Sequence, residues 1–430
     1  MALACVCLTL SCGHEGPDAD AGIRQSSSAD SGYLLNWNVE LAWVAPASLL
    51  AALTVGTTGV ELIRLQAPDS TDPPVIEAVI SPQASDCEQG GPEPIAITAL
   101  DVDGNGTRDV VASDSACGNW LMVDSEGGFQ ARQWRTVFPV DIPAYRYLSI
   151  GPELGGTTLF YGDTFLLGAF TFASGAWSHA GEALVVGDEL HHIVSNFVAG
   201  ASYSPSRELA VVQRGEKLQR IGVEANGLLA LTQEFVPILD SNYRQSFDGF
   251  DHLQGVVKNA SCSVPTMLGI GLFTTRAGRV PRRLQKLSLD LEASTFIASD
   301  LSDAEVVSYG QVAIGGTVYL GILWRDAGQL RFSLAELKGC AELIFVSHVE
   351  EPVMLNAIPG SPQNRMEEMP IKEGIRILSR SNEADQSFEF VVYDGYVLHM
   401  FRVTDKPQWT IRYDRTRLHD ERTDLVGNPT

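Results

Sequence analysis

From about Tyr33 onward, short apolar runs alternate with clusters of glycine, aspartate, asparagine and serine. The runs are rich in β-branched and aromatic residues and have the length of strands. They include TTLFYGDTFLLGAFTF, TVYLGILWRDAGQLRFSL and FEFVVYDGYVLHMFRV. No stretch keeps an apolar period of 3.6 residues over a dozen positions. The pattern therefore predicts an all-β chain.

Several runs form pairs around a short polar connection. QRGEK, RDAGQ and YDGY each separate two apolar runs, which predicts β-hairpins at these points. Two stretches, 154–170 and 314–330, share Gly-Gly-Thr followed by paired runs, and they begin 314 − 154 = 160 residues apart. Three equal units over this distance are about 53 residues each, a length typical of one β-propeller blade.

About seven such units fit between Tyr33 and Asp405. We predict blades near 34–80, 95–138, 145–187, 190–240, 252–297, 305–347 and 352–405. The sequence thus predicts a seven-bladed β-propeller over 33–415, followed by a C-terminal tail at 416–430. Tandem β-sandwich domains share this strand spacing and are the alternative.

The first residues have the pattern of an export signal. An apolar run from Ala2 to Leu10 ends in Ser11 and Cys12; it is too short to span a bilayer and is typical of a signal-peptide core. The small residue before Cys12 resembles a bacterial lipobox, in which the cysteine carries lipid. Residues 13–32 are polar and rich in glycine, serine and aspartate, as in a flexible tether.

We therefore expect a signal peptide at 1–11, with the lipidated Cys12 and a linker at 12–32. These features predict an outer-membrane lipoprotein of the bacterial cell envelope. A periplasmic or secreted protein is the alternative.

Four cysteines follow the expected anchor, and an even number in an exported protein indicates two disulfides. They are Cys87, Cys117, Cys262 and Cys340. Three pairings exist, of which we favour Cys87–Cys117 and Cys262–Cys340 because these partners are nearer in sequence. Buried free thiols are the alternative.

The net charge and the absence of known catalytic motifs argue against several function classes. Acidic residues outnumber basic ones 53 to 30, giving a net charge of −23, so we expect no nucleic-acid partner. The sequence contains no G-x-S-x-G, H-E-x-x-H, Walker or G-x-G-x-x-G motif. We therefore assign no catalytic residues and no organic cofactor.

One loop, DVDGNGTRD at 101–109, has the pattern of a calcium-binding turn. Calcium takes hard oxygen donors, and a turn presents alternate residues to one ion. The positions that supply ligands in an EF-hand are occupied by Asp101, Asp103, Asn105, Thr107 and Asp109. Gly106 supplies the sharp turn. The alternative is an Asx-rich turn without metal.

The flanks of this loop distinguish it from an EF-hand. Position 12 is Ala112 rather than glutamate, and the neighbouring segments IAITAL and VVAS predict strands rather than helices. A D-x-D-x-[DN]-G-x-x-D loop between strands resembles the FG-GAP and VCBS repeats, which are propeller blades related to the integrin α head. The resemblance implies a structural Ca²⁺ that braces a blade hairpin. The sequence holds one such loop.

These expectations combine into a functional hypothesis. We expect a non-enzymatic, calcium-braced propeller that serves as a binding or assembly scaffold in the cell envelope. Its partner would be a protein or carbohydrate of that envelope, and it would meet the membrane only through its lipid anchor. The rival is a polysaccharide lyase or hydrolase with a site at one end of the propeller.

Overall fold

The computed structural model of the chain describes 28 segments. They are residues 41–45, 49–55, 60–66, 75–80, 94–106, 108–114, 118–125, 128–132, 137–139, 147–151, 158–162, 166–184, 190–194, 208–214, 217–223, 229–238, 247–255, 266–275, 278–279, 282–288, 293–296, 304–326, 329–339, 342–353, 377–382, 387–393, 397–404 and 408–417. Within these segments the regular secondary structure is β-strand and no helix occurs, so the all-β prediction is confirmed. Accordingly, the described segments contain no helix with the length and apolarity to cross a membrane.

The described strands form seven separate antiparallel sheets, each built from consecutive strands of the chain. Sheet 1 comprises β1 (Leu41–Ala45), β2 (Leu49–Val55), β3 (Val60–Gln66) and β4 (Val75–Ile80). Sheet 2 comprises β5 (Pro94–Leu100), β6 (Asp109–Asp114), β7 (Gly118–Ser125) and β8 (Gly128–Arg132). Sheet 3 comprises β9 (Tyr147–Gly151), β10 (Thr158–Gly162), β11 (Leu166–Ala173) and β12 (Ala176–Leu184).

The remaining sheets follow the same order. Sheet 4 comprises β13 (Leu190–Val194), β14 (Glu208–Arg214), β15 (Lys217–Val223) and β16 (Leu229–Phe235). Sheet 5 comprises β17 (Phe247–Gly255), β18 (Thr266–Thr275), β19 (Gly278–Arg279), β20 (Arg283–Ser288) and β21 (Ala293–Phe296), with β19 paired only to β18. Sheet 6 comprises β22 (Glu305–Ile314), β23 (Thr317–Asp326), β24 (Gln329–Lys338) and β25 (Glu342–His348). Sheet 7 comprises β26 (Ile377–Asn382), β27 (Ser387–Tyr393), β28 (Val397–Thr404) and β29 (Thr410–Arg417).

The three predicted hairpins are present in the strand pairing. Arg214 pairs with Lys217, Asp326 pairs with Gln329, and Tyr393 pairs with Leu398. The stretches 154–170 and 314–330 also contain equivalent strands, because each includes the second strand of its sheet, β10 in sheet 3 and β23 in sheet 6. The two stretches thus lie three sheets apart, with sheets 4 and 5 between them, as the 160-residue spacing predicted.

The first six predicted blades match the first six sheets to within several residues, whereas the seventh predicted blade differs from sheet 7. The first described strand of sheet 7 begins at Ile377, with 354–376 outside the described residues, and its last strand, β29, lies beyond the predicted end at 405. This strand continues to Arg417, two residues past the predicted boundary of the folded body at 415. Its apolar content is low because it forms a sheet edge, where alternate side chains remain exposed.

Successive sheets pack against one another through buried apolar faces. One core cluster joins sheet 2 to sheet 3, a second joins sheet 5 to sheet 6, and a third joins sheet 6 to sheet 7. In β23, Leu320 and Ile322 belong to the cluster shared with sheet 5, whereas Tyr319 and Leu323 belong to the cluster shared with sheet 7. Burial on both faces explains why this strand is almost continuously apolar.

Close contacts between neighbouring sheets depend on specific residues. Phe332 of sheet 6 stacks on Phe401 of sheet 7 with ring centroids 3.8 Å apart. Gly321 allows this packing, because a Cβ there would lie 2.7 Å from the rings of both Phe332 and Phe390. On the other face of sheet 6, the Tyr309 hydroxyl donates a 2.5 Å hydrogen bond to the Leu268 carbonyl of sheet 5.

Candidate metal site

The candidate loop connects the first two strands of sheet 2. β5 ends at Leu100 and β6 begins at Asp109, and these two residues are paired across the ladder. The predicted strand–loop–strand context is therefore confirmed. The strand residues that follow, Val110 and Val111, are fully buried. Val111 belongs to the core cluster between sheets 2 and 3, and it fixes the end of the loop to that core.

The loop brings three carboxylates together. Asp101, Asp103 and Asp109 each place one oxygen within 4.8 Å of the others. Two oxygens bound to one calcium ion at 2.3–2.6 Å lie at most about 5 Å apart, so this spacing fits a single ion. Asp101 is half-buried and Asp103 is exposed, whereas Asp109 is 0 % exposed. The site would thus open to solvent on one side and rest on the core on the other.

Backbone amides of the loop orient the Asp101 carboxylate. Gly104 N donates to Asp101 Oδ1 at 2.7 Å, and Gly106 N donates to Asp101 Oδ2 at 2.8 Å. Asn105 N donates to both Asp101 Oδ1 and Asp103 Oδ1, at 3.1 and 3.2 Å. The turn needs positive φ at two positions, +77° at Gly104 and +87° at Gly106, which glycine adopts without steric cost.

The buried end of the loop is fixed by Val102 and Asp109. Val102 N donates to Asp109 Oδ2 at 2.8 Å, and the Val102 side chain is 1 % exposed. A carboxylate oxygen has two lone pairs, so an oxygen that accepts one amide proton can still ligate a cation. Hard oxygen donors of this kind fit calcium rather than a softer metal.

The structure describes four of the five predicted calcium ligands. Asp101, Asp103 and Asp109 converge, and Asn105 lies in the same turn with its N–H directed at two of these carboxylates. Thr107 lies outside the described residues, as do the predicted lipidation site, Cys12, and the predicted disulfide residues Cys87, Cys117, Cys262 and Cys340.

The structure adds contacts that the sequence pattern did not predict. Trp177 Nε1 of β12 donates a 2.8 Å hydrogen bond to the Val102 carbonyl. The Phe172 ring of β11 lies against Gly104, where an added Cβ would be 3.4 Å from Phe Cζ. Both aromatic residues belong to sheet 3, and Trp177 is 75 residues from Val102 in the chain. Such a distant partner has no signal in the local sequence.

Comparisons with known proteins identify no family. No protein-family model matches the chain. No curated protein matches it either. Among solved structures it is similar to "a functionally unknown protein from Desulfotomaculum acetoxidans DSM 771", at 13 % identity and a TM-score of 0.48. That similarity covers 84 % of this chain and 94 % of the other. At this level it assigns neither a family nor a function.

Proposed function

We propose that this chain is a non-enzymatic, seven-bladed β-propeller, braced by calcium, that serves as a binding or assembly scaffold in the bacterial cell envelope. The observation that carries the proposal is the convergence of Asp101, Asp103 and Asp109 in a loop between two strands. In this arrangement the ion has a structural role, because it joins the ends of a hairpin.

The order and packing of the sheets support a ring. The first strands of neighbouring sheets contact each other from β1 through β5, β9 and β13 to β17, and again from β22 to β26. Between sheets 5 and 6 the contact is made by β18 and β20 with β22. Serial stacking of small antiparallel sheets is the architecture of a propeller, whereas a sandwich pairs two sheets.

The last sheet supports closure of that ring. Phe388, Phe390 and Phe401 on one face pack against sheet 6. The opposite face carries Val391 and Met400, which are paired across β27 and β28 and are 0 % and 1 % exposed. Sheet 6 lies on the other side, so another part of the chain covers this face. In a closed propeller that part is sheet 1.

Calcium would stabilise this architecture by neutralising the loop. Three carboxylates within a few ångströms repel one another unless a cation lies between them. Isolated loops of this kind in extracellular modules bind calcium at about 10⁻⁴ to 10⁻³ M. Such affinity suits an exported protein. It agrees with the signal-like start of the sequence and with a lipid anchor at Cys12.

The scaffold role is tested by calcium-dependent capture. The full-length protein would be used to capture partners from detergent-solubilised envelope, in calcium and in chelator, beside the variant Asp101→Asn, Asp103→Asn. We expect the wild type to retain one reproducible protein or polysaccharide partner in calcium and to release it in chelator. The variant should retain little of that partner in either buffer. Equal retention by both proteins in both buffers would contradict a calcium-braced binding surface.

The anchor is tested by fractionation. Cys12→Ala should move the protein from the membrane to the soluble fraction, because a single lipidated cysteine would be its only attachment. Cys7→Ala is the matched control, since Cys7 lies in the expected signal segment, and it should leave the protein in the membrane. Membrane retention of the Cys12→Ala protein would rule out this anchor.

A further inference from the structure

One residue of the loop, Val102, connects the carboxylate cluster to the next sheet. Its N–H donates to Asp109 Oδ2 at 2.8 Å, and its carbonyl accepts the Trp177 indole N–H at 2.8 Å. Trp177 is 8 % exposed and Val102 is 1 % exposed, so both hydrogen bonds are shielded from water. A displacement of Val102 would therefore change both bonds together.

A second contact joins the same two parts of the molecule. Phe172 lies against Gly104, in the turn whose amides bind Asp101, and its ring centroid is 5.2 Å from that of Trp177. Phe172 and Trp177 are paired across the hairpin of β11 and β12, the last two strands of sheet 3. The tip of this hairpin is a tight turn with φ of 55° at Ser174 and 80° at Gly175.

We infer that the calcium site is built from two sheets: Trp177 and Phe172 act as positioning residues for the loop, and calcium binding docks the β11–β12 hairpin of sheet 3 onto sheet 2. This inference rests on the calcium site proposed above and extends it from one hairpin to the junction between two sheets.

The physical basis is reciprocal coupling. An ion that draws Asp101 and Asp109 together fixes Val102, which holds its carbonyl in place for the Trp177 indole. Conversely, the indole restrains Val102 before the ion binds, so calcium binding costs the loop less conformational entropy. By linkage, the factor by which the docked hairpin raises calcium affinity equals the factor by which calcium favours docking.

A pair of tryptophan variants tests the positioning role. Trp177→Phe keeps an aromatic ring but removes the donor to Val102, which should weaken the calcium affinity measured by isothermal titration about 3- to 10-fold. Trp324→Phe is the matched control, because the Trp324 indole donates at 2.9 Å to Ser333 Oγ within sheet 6. It should leave calcium affinity within about twofold of the wild type, since distant sites act independently.

Hydrogen exchange of the wild type tests docking without any variant. On addition of calcium, amides of residues 166–184 should exchange more slowly, whereas those of the sheet 7 hairpin at 387–404 should be unchanged. Slower exchange in the first segment alone, with weaker binding by Trp177→Phe, supports the inference.

Two results would overturn the inference, and they are distinguishable. If the wild type binds calcium but Trp177→Phe matches Trp324→Phe and the 166–184 amides do not respond, the two-sheet site is wrong and the calcium site stands. If the wild type shows neither binding heat nor any change in exchange, both the calcium site and the inference are wrong. Should Trp177→Phe fail to fold, the exchange measurement on the wild type decides.

Discussion

At the scale of single residues, the calcium loop combines local and distant determinants. Its carboxylates and glycines lie within nine positions of one another, so their spacing alone predicts that Asp101, Asp103 and Asp109 converge. The aromatic residues that hold the loop from sheet 3 are not predictable in this way. A tryptophan 75 residues away becomes a partner only through the stacking of two sheets.

Gly106 provides a test of the loop backbone. Its φ is +87°, and a Cβ added there would meet nothing within 4 Å, so conformational strain is the only cost of a side chain. We expect Gly106→Ala to lower the free energy of unfolding by about 1 kcal/mol. Gly106→Asn should cost less, because asparagine tolerates the left-handed region. Denaturant unfolding in chelator measures both, and equal losses would show that backbone strain is not the cause.

At the scale of strands and sheets, apolar runs and turn residues were sufficient to locate most elements. Six of the seven predicted segments coincide with a sheet to within several residues, because each sheet follows the chain without crossovers. β29 was missed, because it carries two apolar side chains, Ile411 and Tyr413, between polar ones. An edge strand is held mainly by backbone hydrogen bonds to its neighbouring strand. The pattern of apolar residues does not reveal these bonds.

The junction between sheets 6 and 7 gives a prediction at this scale. Gly321→Ala would place a Cβ 2.7 Å from the Phe332 and Phe390 rings and separate the stacked faces. We expect a loss of about 1–3 kcal/mol in the free energy of unfolding, as for other overpacked cores. The variant Gly321→Ala, Phe390→Leu should recover part of this loss, because it removes one of the two clashing rings. Unfolding curves of both proteins provide the comparison, and an unperturbed Gly321→Ala protein would contradict the described packing.

At the scale of the whole molecule, the strand rhythm predicted seven serial units, and closure of these units into the proposed ring would depend on contacts between the first and last sheets. Such contacts would join sheet 1 to sheet 7, whose nearest residues are 377 − 80 = 297 positions apart, and no local pattern would encode them. The buried second face of sheet 7 is the physical reason to expect closure, because Val391 and Met400 would otherwise be exposed to water. The predicted disulfides remain predictions, because their cysteines lie outside the described residues.

The scaffold as a whole should respond to calcium through one loop. An ion that binds only the folded state raises its stability by RT ln(1 + [Ca²⁺]/Kd), which is about 2.7 kcal/mol at a hundredfold excess over Kd. Magnesium should substitute poorly, because it requires a tighter octahedral shell than a flexible loop provides. Substitution of the carboxylates should abolish this response to calcium. The same substitution should lower the free energy of unfolding less in chelator, because there the carboxylates of the wild-type loop repel one another.

The most direct test is the melting temperature of the full-length protein measured against calcium concentration, with the variant Asp101→Asn, Asp103→Asn measured in parallel. We predict that the wild-type melting temperature rises with calcium, falls back in chelator and changes little with magnesium, and that the variant is indifferent to all three. A wild-type melting temperature that does not change between calcium and chelator would show that the loop at 101–109 is an Asx-rich turn without metal, and would contradict a calcium-braced scaffold.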